Sequence, residues 1–404
     1  LQTEFEELAA KMLELNKLLN DRRELLKALK KDLRSLKKQY GDDRRTQILS
    51  AVEVASQTAS QDESAPAKSS TTAYPLSFEF EEEEQDTVIE LTQRGYVRRL
   101  TPKMYDRQLR NRTDDTPTKG LEDGDDFATQ TQYTTTGKTL IVFTRNGKAY
   151  AVKVRDIPQA NGKSKGTPLV ALLPPAAQAE PDAIAGAFIL PDESEDLFVL
   201  LLTQQGKIKR LPMSEFTDLT GRGLTALKLK DDDQLLCISP VQIGEQVVLA
   251  TSSGRVLRFE VNDLQVPIAS RSSQGQTGMR VSKKERIVGW AIASEDDPFL
   301  MISEQGYAKQ MEIRTLRRAS TGELGTQVFQ FANKTDAVAG IVAVLPEALV
   351  FLLTNENHWA RIAVDDVELH GRDDKGDRIV KVSKTERITH VSLPVLFGSE
   401  DEEE

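Results

Sequence analysis

Apolar and polar positions follow two different rules along this chain, and the rule changes near residue 87. Over residues 1–40 apolar side chains fall at Phe5, Leu8, Met12, Leu15, Leu19, then Leu26, Leu29, Leu33, Leu36 and Tyr40, in steps of three and four broken at Arg22. This is the seam of a heptad repeat. It predicts two helices, roughly 4–19 and 22–40, with a break at the N-cap pair Asn20 and Asp21 and a stop at Gly41. Two placements of the seam stand at this point: against a partner helix in a coiled coil, or against the chain's own domain.

From residue 87 a unit recurs six times: an apolar run, a tight turn, and a second run carrying basic residues. The copies span 87–99, 139–153, 197–210, 247–258, 299–309 and 349–361. Their turn residues Gly95, Gly147, Gly206, Gly254, Gly306 and Asn357 are separated by 52, 59, 48, 52 and 51 residues. Glycine supplies positive φ without steric cost and Asn tolerates it, so each copy predicts a two-residue hairpin loop. An unbroken apolar run is a strand buried on both faces, whereas one alternating with Lys or Arg has a wet face. A glycine-bearing turn and a further short strand follow in most units, as at Gly162 and Gly166, Gly221 and Gly223, Gly275 and Gly278, Gly322 and Gly325, and Gly371 and Gly376. Such antiparallel modules, with no helical period between them, predict an all-β fold closed as a six-bladed, propeller-like ring, because a ring leaves no long unpaired edge. The blades are expected near 87–136, 137–195, 196–244, 245–296, 297–346 and 347–396.

The rest of the chain reads as connections. Residues 1–50 end a helical segment, 51–86 form a Ser-, Thr- and Ala-rich linker closed by an acidic run, and 397–404 form an acidic tail. A start at Leu1 on a charged helical pattern reads as a piece of a longer chain without a signal peptide. No apolar run approaches the roughly 18 residues of a membrane span. The net charge of −10 sits outside the repeats: the 40 basic and 40 acidic residues of 87–396 cancel, and the linker and tail hold the excess of acid. A neutral domain still presents a basic track if its charges are sorted by face.

Candidate chemistry is sparse apart from those cations. The single Cys237, in an apolar run, reads as a buried thiol in a reducing cytoplasm, and His358, His370 and His390 have no metal-ligand spacing with other ligands. Gly137-Lys138-Thr139 resembles the end of a phosphate loop, but a strand follows it and the first glycine is absent. The second strands carry Arg98, Arg99, Lys148, Lys153, Lys207, Lys209, Arg210, Arg255, Arg258, Lys309 and Arg361. The glycine turns adjoin Lys163, Lys165, Arg222 and Arg280. On a ring these make a candidate DNA-binding rim that meets phosphates without reading sequence. The alternative is a propeller scaffold for proteins, dimerised by the coiled coil.

The segment Lys37–Ile48 resembles the end of the coiled coil in the A subunits of bacterial type IIA topoisomerases, gyrase and topoisomerase IV, and the six units resemble the β-pinwheel that follows it there. The resemblance implies an ATP-dependent isomerase built as an A-subunit homodimer with two B subunits, acting on double-stranded DNA in the bacterial cytoplasm. ATP and Mg would belong to the B subunit, and this stretch would hold no cofactor and no metal. It also implies a catalytic tyrosine upstream of Leu1, so that Tyr40, Tyr96, Tyr105 and Tyr150 are not nucleophiles. The gyrase box Gln-Arg-Arg-Gly-Gly-Lys-Gly has no full counterpart here: the matching stretch after Tyr105 keeps Arg107, Arg110 and Arg112 as cationic candidates but lacks the glycine pair. Strong chiral wrapping is therefore not implied, and relaxation or decatenation stands beside supercoiling.

Overall fold

The computed structural model describes residues 11–12, 22–40 and 84–397, the last stretch without 112–116, 119, 124–125, 162–163, 176, 179–183, 193, 220–221 and 231. The chain divides into two compact units, Leu1–Phe80 and Glu81–Glu404. In the first, Arg22–Tyr40 is one α-helix, where the heptad spacing predicts it. Its seam residues Leu26, Leu29, Leu33 and Leu36 are 50–57% exposed, so the seam is open. Apart from the helical residues 11–12, the expected helix over 4–19 lies outside the described residues, as do linker residues 51–83 and the tail beyond 397.

The second unit is a ring of six antiparallel blades. In the third blade Phe198–Thr203 lies between Lys207–Pro212 and Leu235–Val241, all from one repeat. The fourth place, beyond Lys207–Pro212, is filled by a two-residue strand from the next repeat, Gln276–Thr277. The same handover puts Thr167–Pro168 on blade one, Leu224–Thr225 on blade two, Thr326–Gln327 on blade four and Asp377–Arg378 on blade five. Blade six receives Glu122–Asp123 from the first repeat, which closes the circle. A second closure comes from Val395–Phe397, which adds in parallel to Ala128–Thr135 of blade one. Phe397, expected to begin the tail, is the last strand residue instead.

Strands Ile184–Ile189, Leu235–Val241, Ile287–Ala293, Val338–Ala343 and Ile388–Ser392 each contact their counterpart in an adjacent blade. They therefore occupy the inner side of the ring, and the handed-over strands its outer edge. Between the two, the apolar strands feed alternate side chains into separate cores, as a period of two dictates. Ile141 and Phe143 pack with Val199 and Leu201, whereas Leu140 and Val142 pack with blade one. Likewise Leu200 and Leu202 meet Val247 and Leu249, and Val248 and Ala250 meet Phe299 and Met301. The cores lie between blades, so burial on both faces, read from the unbroken apolar runs, holds.

The turns differ from the expected two-residue loops. Gly95, Gly147, Gly206, Gly254, Gly306 and Asn357 do have positive φ, from 65° to 83°. Each donates its N–H to the carbonyl three residues back, at 2.9–3.2 Å, which makes a three-residue loop with a bulge. The acceptor is always Thr or Ser: Thr92, Thr144, Thr203, Thr251, Ser303 or Thr354. In five blades its hydroxyl also accepts the N–H that follows the loop, at 3.1–3.3 Å. A second glycine marks the handover. At Gly376 (φ +71°) a Cβ would lie 2.1 Å from the Ala308 carbonyl oxygen, so only glycine lets the incoming strand approach its neighbour.

Candidate nucleic-acid interface

The structure sorts the candidate cations into three groups. Arg107, Lys148, Lys153, Lys165, Arg222 and Arg280 are exposed; Arg98, Arg99, Lys207 and Arg255 are half-buried. Lys209, Arg210, Arg258, Lys309 and Arg361 are buried, at 6% exposure or less. Arg112, Lys163 and the side chain of Arg110 lie outside the described residues.

The buried group overturns the expected wet face on the second strands of blades three to six. Those strands carry the apolar strand on one side and the handed-over strand on the other, and both faces abut neighbouring blades. Among the candidate cations on the second strands only Lys148 and Lys153, in blade two, are exposed, on opposite faces of the strand. The two buried lysines are satisfied by backbone carbonyls, most of them from the next repeat. Lys209 Nζ donates to the carbonyls of Ala226, Arg271 and Ser273 at 2.6–3.2 Å, and Lys309 Nζ to those of Gly371, Arg372 and Asp374 at 2.9–3.2 Å. Burial lowers both ammonium groups to about 8.

One position further along, the side chain reaches the following blade. Arg99 Nε donates to the Ile157 carbonyl at 2.7 Å, Arg258 Nη1 to those of Ile313 and Leu316 at 2.9 and 3.1 Å, and Gln310 Nε2 to that of Val364 at 2.6 Å. The backbone carbonyls of Arg99, Arg210, Arg258 and Gln310 accept from Ala160, Ala269, Ala319 and His370 in return. Arg258 is further paired with Glu295 at 2.8 Å and Gln246 at 3.0 Å. Arg210 pairs with Asp263 and lies 4.6 Å from the Phe198 ring centroid, and Arg361 sits 4.9 Å from that of Trp359. Arg99, Arg210, Arg258 and Gln310 thus staple blade to blade, while the Arg361 guanidinium lies over an aromatic ring of its own strand. They are not positioned for phosphate.

The exposed group remains available. Lys148 pairs by backbone with the handed-over Thr225, and Lys207, at the equivalent place in blade three, reaches Thr277 Oγ1 at 2.9 Å. Lys165 and Arg222 stand one glycine before handed-over strands, at the outer edge, and Arg280 stands three residues after one, its N–H donating to the Glu323 carbonyl at 2.9 Å. Among the described residues none of Lys148, Lys165, Arg222 or Arg280 has an ion-pair partner. The half-buried Arg255 does, in Glu285, and Arg98 is paired with the buried Glu90. Of the stretch after Tyr105 where the resemblance places a glycine-rich box, the residues up to Asn111 lie in the helix Pro102–Asn111 and 112–114 lie outside the described residues. In this helix Tyr105 is buried edge-on to Tyr133, with ring centroids 5.7 Å apart, and Arg107 is exposed.

Sequence reasoning missed a series of carboxylates at the inner end of the hairpins. Asp126, Asp233, Glu285, Asp336 and Glu386 each stand two residues before an inner strand and cap the turn of their blade. Asp126 accepts from the Arg94 N–H at 2.9 Å, Asp233 from Gln205 at 3.1 Å and Asp336 from Gln305 at 3.1 Å, while Glu386 takes the Thr354 hydroxyl at 2.7 Å. Loops of unequal length separate these acids from their turns, which hides the repeat. Burial alone would raise Glu285, but the Arg255 guanidinium and the Ser253 and Ser282 hydroxyls outweigh it and hold the carboxyl at about 2. A depressed carboxyl stabilises the fold above its unfolded value, near 4.5, and that stabilisation is lost as pH falls through about 2. Acid titration of stability from pH 5 to 2 is therefore expected to cost the parent chain about 1–2 kcal/mol more than Glu285→Gln, after allowance for solvent screening. Parallel acid curves would rule this out.

The remaining candidates resolve simply. Lys138 pairs with Asp192 and leads into the strand Thr139–Thr144, as the strand pattern predicts. Cys237 is partly buried beside the core between blades three and four, where burial pushes its thiol up to about 12. Glu356, His358 and Glu386 come together with ligand atoms within 4.8 Å, a grouping that sequence spacing did not reveal because Glu386 is remote. His358 Nδ1 meets Glu386 there at 2.7 Å, in the role Arg255 has toward Glu285. No helix among the described residues is long and apolar enough to cross a membrane.

The model of a family described as DNA gyrase C-terminal domain, beta-propeller, matches residues 138–191, 198–241, 245–294, 297–344 and 360–394. The DNA topoisomerase 4 A subunit of a Synechocystis species is 29% identical over 96% of this chain and 50% of its own length. The DNA gyrase A subunit of Staphylococcus aureus strain MRSA252 is 26% identical over 100% of this chain and 43% of its own. The chain thus spans about half the length of the curated relatives it matches. Among solved structures, the C-terminal domain of DNA topoisomerase IV superposes with a TM-score of 0.66 at 20% identity, covering 77% of this chain and 93% of that one. The C-terminal domain of DNA gyrase A gives 0.58 at 23%, covering 77% and 100%. At these identities the likeness establishes the shared ring fold.

Proposed function

The chain belongs to the family of DNA gyrase C-terminal β-propeller domains, and from that premise we propose that it binds double-stranded DNA without reading sequence and bends it along the outer edge of the ring. The observation that carries this reading is the set of exposed cations Lys148, Lys165, Arg222 and Arg280, which have no ion-pair partner among the described residues. Cations held by a rigid sheet edge meet phosphates, which fix position and carry no base information. A protein scaffold has no need of unpaired positive charge there.

In this reading residues 1–50 end the coiled coil of an A-subunit dimer, 51–86 are a linker, and the ring guides the DNA segment that an ATP-dependent type IIA topoisomerase transports. DNA cleavage would lie in another part of the enzyme's A chains, and ATP hydrolysis in its B subunits. The lack of a glycine pair in the stretch after Tyr105 favours relaxation or decatenation over strong chiral wrapping.

Bending is read from a duplex labelled at both ends and shorter than the DNA persistence length of about 150 bp. Saturating the duplex with the whole chain is expected to raise energy transfer between the ends. Binding with unchanged transfer would refute bending, and absence of binding would refute the reading altogether.

A further inference from the structure

The charge of the outer edge is not uniform around the ring. On blades one and two, the stretches from the turn glycines through the handed-over strands (162–168 and 221–225) contain basic residues and no acid, and on blade three Gly275–Thr277 carries no charge, with Arg271 before it and Arg280 after it. On blade four the equivalent stretch, 320–327, contains Glu323 and no cation. On blade five, Arg372, Lys375 and Arg378 alternate with Asp373, Asp374 and Asp377. On blade six the handed-over strand is itself acidic, Glu122–Asp123.

Pairing sharpens the division. Lys165, Arg222 and Arg280, on blades one to three, are exposed and lack ion pairs among the described residues, whereas Arg271 of blade three is held by Glu215. Around blades four and five Arg255, Arg317, Arg318 and Arg314 are neutralised by Glu285, Glu323, Glu295 and Glu312, while Arg372 and Arg378, exposed and without an ion pair among the described residues, stand beside Asp373, Asp374 and Asp377 in sequence. Blade five adds His370, which bridges Asp374 at 3.1 Å and Asp377 at 2.9 Å. A polyanion following the rim is attracted over half the ring and meets compensated or acidic surface over the other half.

We infer that duplex DNA engages only an arc of the ring, blades one to three, and leaves the edge of blades four to six. This rests on the DNA-binding reading and narrows it: the contact is a bend over part of the perimeter, with an entry side at blade one and an exit before blade four.

Two triple variants of the whole chain test it in duplex binding across a salt series. Lys165→Glu, Arg222→Glu and Arg280→Glu together remove three contacts of the arc. They are expected to weaken binding at least about ten-fold and to reduce the slope of log affinity against log salt by about 3. The control triple, Arg372→Glu, Lys375→Glu and Arg378→Glu, reverses as many exposed cations on blade five and is expected to change affinity less than about three-fold and leave the slope alone. Equal losses from both triples, or a greater loss from the control, would overturn the arc while DNA binding stands. A parent chain whose binding is absent or insensitive to salt would overturn both.

Discussion

Arg258→Met is expected to destabilise the ring by about 3–5 kcal/mol, a large part of the roughly 5–15 kcal/mol that holds a domain together. Arg258 is 2% exposed and joins four partners across the junction of blades four and five: Glu295, the Gln246 side chain, and the carbonyls of Ile313 and Leu316. Methionine fills much of the volume but leaves two buried carbonyls and the Gln246 oxygen without that donor, which is costly because none of them regains water. Lys148→Met, an exposed cation on an equivalent strand, is expected to stay within about 0.5 kcal/mol. Urea unfolding of the two variants beside the parent decides between them. Similar small shifts for both would mean that Arg258 is solvated after all and that the staples contribute nothing.

That contrast also marks where sequence reading stops. The six repeats, their apolar central strands and the positive-φ turn residues are legible because each depends on local rules: period two, and the backbone freedom of glycine or asparagine. The handover is not local. Nothing in Gln276–Thr277 says that it completes the previous blade, and a two-residue strand has no period to detect. Lys209 and Lys309 look like solvent-facing members of an alternating strand, but a strand enclosed by two neighbours and two blades has no wet face. Their carbonyl partners lie up to 65 residues away, and no pattern within the strand announces them.

The candidate cations divide by what surrounds them in the fold. The cations beside the glycine turns, Lys165 and Arg222, stand at the outer edge, where Gly166 and Gly223 let a strand approach its neighbour closely. The cations inside the strands, which gave the repeat its basic signature, serve mainly as junctions between blades. The turn-capping acids escaped notice for the converse reason: a constant role at inconstant spacing. Glu285 and Glu386 do the same work 31 and 29 residues after their turns, whereas Asp233 needs only 27.

The salt dependence of duplex binding tests the central claim most directly, because each phosphate contact made by a cation releases condensed counterions. With four to six exposed cations engaged, log affinity should fall against log salt with a slope of about −4 to −5, and affinity should drop roughly 10²–10³-fold between 50 and 200 mM salt. Two unrelated duplexes of equal length should give the same line. A flat salt response, or a strong preference for one of the two sequences, would contradict an outer-edge phosphate track.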